Sequence, residues 1–170
     1  MKRLDRQFGM SLLEVVVALL ILSIAVLGFL AVGSRSLLGS GQADFRSQAV
    51  TLISGHYDAV QYFDEHQKRI YVQTLAQSIG SASDIDDYIR QVQAVHIECQ
   101  AACSRDTLAK LSAWQLAQSA ATARMTVLAK NCQTGICWAL AWGDDAPQII
   151  TDCFNPVPKN SAHCFVLGDE

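Results

Sequence analysis

The sequence predicts an α+β protein in which a long amino-terminal helix packs on a small antiparallel β-sheet. Three observations lead to this prediction: residues 15–34 contain no charged side chain, apolar residues then recur at helical spacing as far as Phe63, and two runs of alternating pattern flank a turn at Gly135. An amphipathic helix and a one-sided sheet each need an apolar cover, and packing one against the other supplies it.

The composition sets the class of protein. The chain has 170 residues, a formal net charge of −3, 17% charged residues and 51% hydrophobic residues. This length gives room for one modest domain, and the chain is too apolar to be disordered. A nucleic-acid-binding protein would carry a clustered basic face, so we expect no direct binding of nucleic acid.

The charge-free run at residues 15–34 has the length of a membrane-spanning helix. Twenty residues at 1.5 Å each extend over about 30 Å, which matches the hydrocarbon core of a bilayer. A core helix of a soluble protein would show a polar stripe, and this run shows none. A secretory signal peptide would end in a small-residue cleavage site, which residues 33–35 match poorly. The sequence therefore predicts a transmembrane helix that the mature protein keeps.

Glu14 lies at the start of this apolar helix. A carboxylate inside a membrane costs about 2.5–3.5 kcal/mol on insertion scales, so a buried Glu14 would need a partner. The alternative is that Glu14 rests among the lipid headgroups, where the cost is small. Both interpretations remain open on this residue alone.

The residues around Glu14 resemble the class III signal of type IV pilins and pseudopilins. A basic leader over residues 1–9 ends in Gly9, and Glu14 is the fifth residue after that glycine. Met10 stands where the family usually has Phe. The resemblance implies that prepilin peptidase cuts between Gly9 and Met10 on the cytoplasmic side. It also implies N-methylation of Met10 and an assembly role for Glu14, which would pair with the amino terminus of a neighbouring subunit.

The resemblance also implies partners and a location. The helix would bundle with other minor pilins and with the major pilin, on an assembly platform of the bacterial inner membrane, and the rest of the chain would support a tip adhesin. The basic leader favours a cytoplasmic amino terminus, which places the residues after Arg35 in the periplasm and later in a pilus on the cell surface.

Six cysteines lie in the carboxy-terminal part of the chain: Cys99, Cys103, Cys132, Cys137, Cys153 and Cys164. In an oxidising compartment they are read as disulfides. We favour sequential pairs, since two of the spacings close small loops around turn-forming residues. A zinc or redox site is the alternative, but the sequence has no C-x-x-C pair and its histidines do not repeat at ligand spacing. We therefore expect no metal and no cofactor.

Apolar and polar patterning predicts the remaining elements. The amino-terminal helix continues as an amphipathic helix to about Phe63, and residues 67–83 are predicted as loop with room for one helical turn. Asp84 is predicted to cap one short helix, and Ser104 or Asp106 another. Alternation over residues 124–132 and 136–142 predicts a hairpin, and residues 165–167 a further strand.

These elements define four predicted regions of the chain. They are a leader at 1–9, a transmembrane or filament-core helix at 10–34, its amphipathic continuation at 35–66, and a periplasmic globular domain with disulfides at 67–170. Trp138 and Trp142 alternate on one predicted strand, where core packing is the preferred interpretation and ligand stacking the alternative.

A second stretch resembles a narrower group, the PilV-type minor pilins. It runs from Cys99 through Cys103 and Ser104 to Leu108, followed by a helix containing Trp114. The resemblance implies a minor pilin that primes pilus assembly and belongs to the tip complex; such pili serve adhesion, twitching motility and DNA uptake. The sequence shows no catalytic motif, so we expect no enzyme. The alternatives are a minor pseudopilin of a type II secretion system and a membrane-anchored periplasmic redox or metal-binding module.

Overall fold

The computed structural model describes residues 12–97, 99, 103–133, 135–155 and 163–168. The elements follow one another in the order α1 Leu12–Gln61, α2 Glu65–Ile79, α3 Ile85–Gln93, α4 Arg105–Thr122, β1 Met125–Cys132, β2 Gly135–Trp142, α5 Ala146–Ile149, a 3-10 helix Ile150–Phe154, and β3 Cys164–Leu167. A long apolar amino-terminal helix and a small antiparallel sheet make this a pilin-like α+β fold, as the sequence predicts.

The chain divides into two compact units, residues 1–41 and residues 42–170. The first unit contains the apolar part of α1, and the second contains the rest of α1 together with every other element. We call residues 42–170 the globular unit. The region boundaries at residues 9, 34 and 66 remain predictions.

Within the globular unit, α1 buries one stripe. Ala49, Ile53 and Val60 are buried at helical spacing, as the apolar pattern predicts. Phe45 stacks on Trp142 with 5.7 Å between ring centroids. The helix ends at Gln61, two residues before the predicted end at Phe63.

The prediction of a loop at residues 67–83 is wrong, because most of this segment is helix α2 (Glu65–Ile79). A capping box begins it: the Asp64 side chain accepts hydrogen bonds from the backbone N–H groups of His66 and Gln67, and the Gln67 side chain accepts from the Asp64 N–H. Its buried face mixes apolar and polar side chains, which weakens the apolar periodicity: Gln67, Tyr71, Thr74, Leu75 and Ser78.

The two predicted amino-terminal caps are confirmed. The Asp84 carboxylate accepts a hydrogen bond from the Asp87 N–H at 2.8 Å and begins α3. Of the two candidates for α4, Ser104 is the cap: its hydroxyl accepts from the Thr107 N–H at 3.1 Å. Each cap satisfies a backbone donor that the first turn of the helix leaves without a partner.

The sheet has the strand order β1-β2-β3, with both neighbouring pairs antiparallel. The predicted hairpin is confirmed, with Cys132 opposite Gly135 at its turn, and β3 begins one residue earlier than predicted, at Cys164. Trp138 and Trp142 are 1% and 2% exposed, which confirms core packing over ligand stacking. The core of the globular unit therefore lies where the helices cover the sheet.

Candidate functional site

The apolar part of α1 is the first candidate site. Leu12–Ala31 forms a 20-residue stretch with a mean hydropathy of 2.8, and none of it is buried. Leu19, Leu20, Ile21 and Leu22 are all more than half exposed. Because four consecutive residues point in every direction around a helix, this stretch is apolar on all sides. By length and composition it is able to cross a membrane, and it fits a membrane-anchored protein.

The hydroxyl group within this stretch has a local partner. The Ser23 hydroxyl donates a hydrogen bond to the Leu19 carbonyl oxygen, one turn earlier, at 2.7 Å. In hydrocarbon a hydroxyl without a partner would be costly, and the preceding turn of the same helix supplies one. Ser23 is therefore compatible with lipid or with an apolar helix neighbour.

Glu14 is the acidic residue in the first turn of α1, and its side chain is exposed. The positive end of the helix dipole favours a carboxylate at this position. The sequence has no charged residue between Glu14 and Arg35. Gly9 and Met10, the predicted cleavage and methylation residues, lie outside the described residues. Glu14 thus lies at the start of an exposed apolar helix, with no charged residue after it in the sequence until Arg35.

Three disulfides link the cysteines in sequential pairs, which is the pairing that the spacing favours. Cys99 pairs with Cys103, Cys132 with Cys137, and Cys153 with Cys164. The second bridge closes the hairpin, and the third joins the 3-10 helix to β3. All six cysteines are bonded, so none is a free thiol in this structure.

The titratable side chains of the globular unit do not form a reactive cluster among the described residues. Among residues 12–97, 99, 103–133, 135–155 and 163–168, no group of three or more His, Cys, Asp or Glu side chains is placed to hold a metal ion. Burial raises the pKa of Tyr88 to about 12 and also raises the pKa of Tyr71. Burial lowers the pKa of His56, which favours its neutral form. Both tyrosines therefore stay protonated at neutral pH.

Comparison with known proteins bears on the amino-terminal part alone. A family model described as the prokaryotic N-terminal methylation motif matches residues 4–30. These residues include Gly9, Met10, Glu14 and most of the apolar stretch. The match supports a type IV pilin-like or pseudopilin protein with a membrane anchor. The comparisons with curated proteins and with solved structures gave no match.

Two features of the globular unit were not predicted from the sequence. Arg124 adopts a left-handed backbone conformation with φ of 57° between α4 and β1, and its guanidinium donates to the Asp86 carboxylate at 2.9 Å. An open groove also lies between α1 and one end of the sheet. Val50 and Tyr57 of α1 line this groove, and no local pattern in the sequence indicates it, because it forms only when α1 meets the sheet.

Proposed function

We propose that this protein is a minor pilin of the PilV type, which primes assembly of a type IV pilus and forms part of its tip complex. One observation supports the pilin-like part of the proposal: most of an apolar helix, uncovered on all sides and carrying a single acid in its first turn, lies within a prepilin-type methylation motif. The PilV type is proposed from the resemblance that runs from Cys99 to Leu108. Such a helix is suited to leave the lipid and pack among similar helices.

Processing would prepare the helix for docking. Prepilin peptidase would cut between Gly9 and Met10, remove the basic leader and leave Met10 as the first residue. Methylation of its amino group keeps the nitrogen basic, so the new amino terminus retains a positive charge. Each processed subunit would then carry a cation at Met10 and an acid at Glu14.

Glu14 would pair with the amino terminus of a neighbouring subunit. In an apolar surrounding such a pair offsets the desolvation cost of both charges, and leaving one charge alone is strongly unfavourable. The pair would therefore fix the axial position of one helix against the next. The partners of this step are other minor pilins, the major pilin and the inner-membrane assembly platform.

The proposed location rests on the charges near the amino terminus and on the disulfides. Lys2, Arg3 and Arg6 favour a cytoplasmic amino terminus, so the globular unit would enter the periplasm. An oxidising compartment suits three disulfides. In the assembled pilus the globular unit would support a tip adhesin at the cell surface. In this role the chain acts by assembly and not as an enzyme.

A minor pseudopilin of a type II secretion system is the second candidate. The observation that favours it is the methylation motif itself, because pilins and pseudopilins share this signal. A membrane-anchored redox or metal-binding module is the third candidate. A metal held by cysteine would need free thiols, and every cysteine is bonded.

The experiment is a gene deletion in the bacterium that encodes this chain. The deleted strain receives the wild type, Glu14→Ala or Asp44→Ala; Asp44 is an exposed acid on the same helix that accepts a hydrogen bond from Gln48. Precursor cleavage, surface pili and export of a type II secretion substrate are measured in each strain.

We expect the wild type and Asp44→Ala to restore piliation. Glu14→Ala is expected to be cleaved yet to leave the number of pili lower by about tenfold or more, since the neighbouring amino terminus loses its counter-charge. Full piliation with Glu14→Ala would contradict the pairing role. Normal piliation with lost secretion in the deleted strain would favour the pseudopilin.

A further inference from the structure

A groove with a volume of about 650 Å³ lies within the globular unit, between α1 and one end of the sheet. Val50, Tyr57 and Asp58 line it from α1, while Ile136 and Leu167 line it from β2 and β3. We call it the α1–β3 groove. The Tyr57 ring lies 5.9 Å from the buried Trp138 ring, centroid to centroid, so the base of the groove rests on the core.

The walls of the α1–β3 groove are accessible, and they combine apolar side chains with the polar Ser54 and Gln61. Val50, Tyr57 and Leu167 are 47%, 44% and 36% exposed. Among the residues that the structure describes, Asp58 is the one charged side chain that lines the groove, and no basic residue among them lines it. An occupant that covers this surface would therefore bury apolar area and place a positive charge near Asp58.

Strand β3 forms the outer edge of the sheet beside the groove. It pairs with β2, and within the described residues no further strand pairs with β3. Leu167 lies opposite Trp138 in the β2–β3 register, so both side chains face α1. An edge strand offers unpaired N–H and C=O groups to an extended chain. A strand added beside β3 would continue the sheet face that lines the groove.

We propose that the α1–β3 groove binds an extended peptide segment of another protein. The segment pairs with the outer edge of β3, places an apolar side chain between Tyr57 and Leu167, and carries a Lys or Arg residue that meets Asp58. A helix satisfies its own backbone groups and gains nothing from the open edge, which is why an extended segment fits better. All of these residues lie in the globular unit, so the inference does not rest on the proposed filament role.

The test uses the full chain in mild detergent and a phage-displayed library of random peptides of about ten residues. Selected peptides are synthesised, and their Kd values are measured by fluorescence anisotropy. The variants are Tyr57→Ala and Asp58→Lys in the groove, with Tyr62→Ala as the matched control. Tyr62 is 89% exposed and does not line the groove.

We expect the enriched peptides to alternate apolar and polar residues, to contain Lys or Arg and to lack Pro. Tyr57→Ala should raise their Kd by about fivefold or more, since aromatic residues are frequent binding anchors. Asp58→Lys should raise the Kd by a similar factor, and replacing the peptide's Lys by Glu should restore binding to this variant.

Several outcomes would overturn the proposal. One is that the wild type enriches no peptides relative to the Tyr57→Ala variant. Another is that the enriched peptides are helical or rich in Pro. A third is that Tyr62→Ala raises the peptide Kd as much as Tyr57→Ala does. Self-association of the full chain that Tyr57→Ala abolishes would instead identify a second copy as the occupant. Circular dichroism of each variant checks that its fold is intact. Asp58 is exposed, so Asp58→Lys should fold normally and its effect on the Kd can be read even if Tyr57→Ala perturbs folding.

Discussion

Gly168 follows the last residue of β3 and lies against the hairpin disulfide. Its φ is 119°, a conformation that side chains with a Cβ rarely adopt. A Cβ placed on Gly168 would lie 2.7 Å from Cys137 Sγ and 3.0 Å from Cys137 Cα. The end of β3 and the Cys132–Cys137 bridge therefore approach each other as closely as a glycine permits.

Replacing Gly168 with alanine should destabilise the protein by about 1–3 kcal/mol, since the new methyl group overlaps the bridge and the backbone is strained. The matched control is Gly55→Ala within α1, where a Cβ would have no neighbour within 4 Å. This control should be neutral or stabilising by up to about 1 kcal/mol. Urea unfolding of the full chain in detergent measures both changes, and equal effects would contradict the close approach.

Burial of Tyr88 links stability to alkaline pH. The folded protein keeps this hydroxyl protonated, because burial raises its pKa to about 12. The unfolded chain releases the same proton near pH ~10. The protonated side chain therefore stabilises the fold below pH ~10, and this contribution is lost as the pH rises towards about 12.

Between pH ~10 and ~12 the free energy of unfolding should fall by about 1.4 kcal/mol per pH unit for each such tyrosine. Tyr88→Phe should reduce this slope by that amount, and Tyr62→Phe, at a position 89% exposed, should leave it unchanged. Unfolding followed at a series of alkaline pH values measures the slopes. An unaltered slope in Tyr88→Phe would show that the unfolding equilibrium does not depend on this proton.

At the scale of elements, helices were predictable where their signal is local. Asp84 and Ser104 are capping residues followed by apolar positions at helical spacing, and both caps are observed. Helix α2 was missed because its buried face includes Gln67, Thr74 and Ser78, so apolar periodicity is weak. The Asp64–Gln67 capping box was present in the sequence and would have indicated its start.

The hairpin was predictable for a similar reason. Its two strands alternate in pattern on either side of Gly135, which takes a φ of 142°. Helix α5 and the 3-10 helix are only four and five residues long, too short for a periodic signal. The edge position of β3 depends on contacts between distant parts of the chain, which no local pattern specifies.

The disulfides differ in what they restrain. Cys153 and Cys164 are separated by 11 residues and join the 3-10 helix to β3, whereas Cys99 and Cys103 are separated by 4 and precede α4. A longer closed loop removes more conformational freedom from the unfolded chain. The Cys153–Cys164 bridge is also buried, so its loss disturbs packing as well.

Replacing Cys153 and Cys164 together with alanine should lower the free energy of unfolding by about 3 kcal/mol, on the loop-entropy estimate. The matched pair Cys99→Ala and Cys103→Ala should cost less, about 2 kcal/mol. Thermal and urea unfolding of the full chain give both values. A larger loss of stability on replacing Cys99 and Cys103 would contradict the inference that the Cys153–Cys164 bridge restrains β3.

For the whole molecule, the sequence places chemically different regions in succession. A segment rich in Lys and Arg comes first, an apolar helix follows, and the globular unit holds all six cysteines. The apolar helix was predictable because its signal lies in consecutive residues. The α1–β3 groove was not, because α1, β2 and β3 form it only when folded.

The most direct test of the account is mass spectrometry of the protein recovered from membranes of the bacterium that encodes it. If the helix is kept and used for assembly, the mature chain begins at Met10, carries one added methyl group on its amino nitrogen and retains the whole apolar helix. A mature chain that begins after Ser34, and so lacks that helix, would show that the helix is not kept.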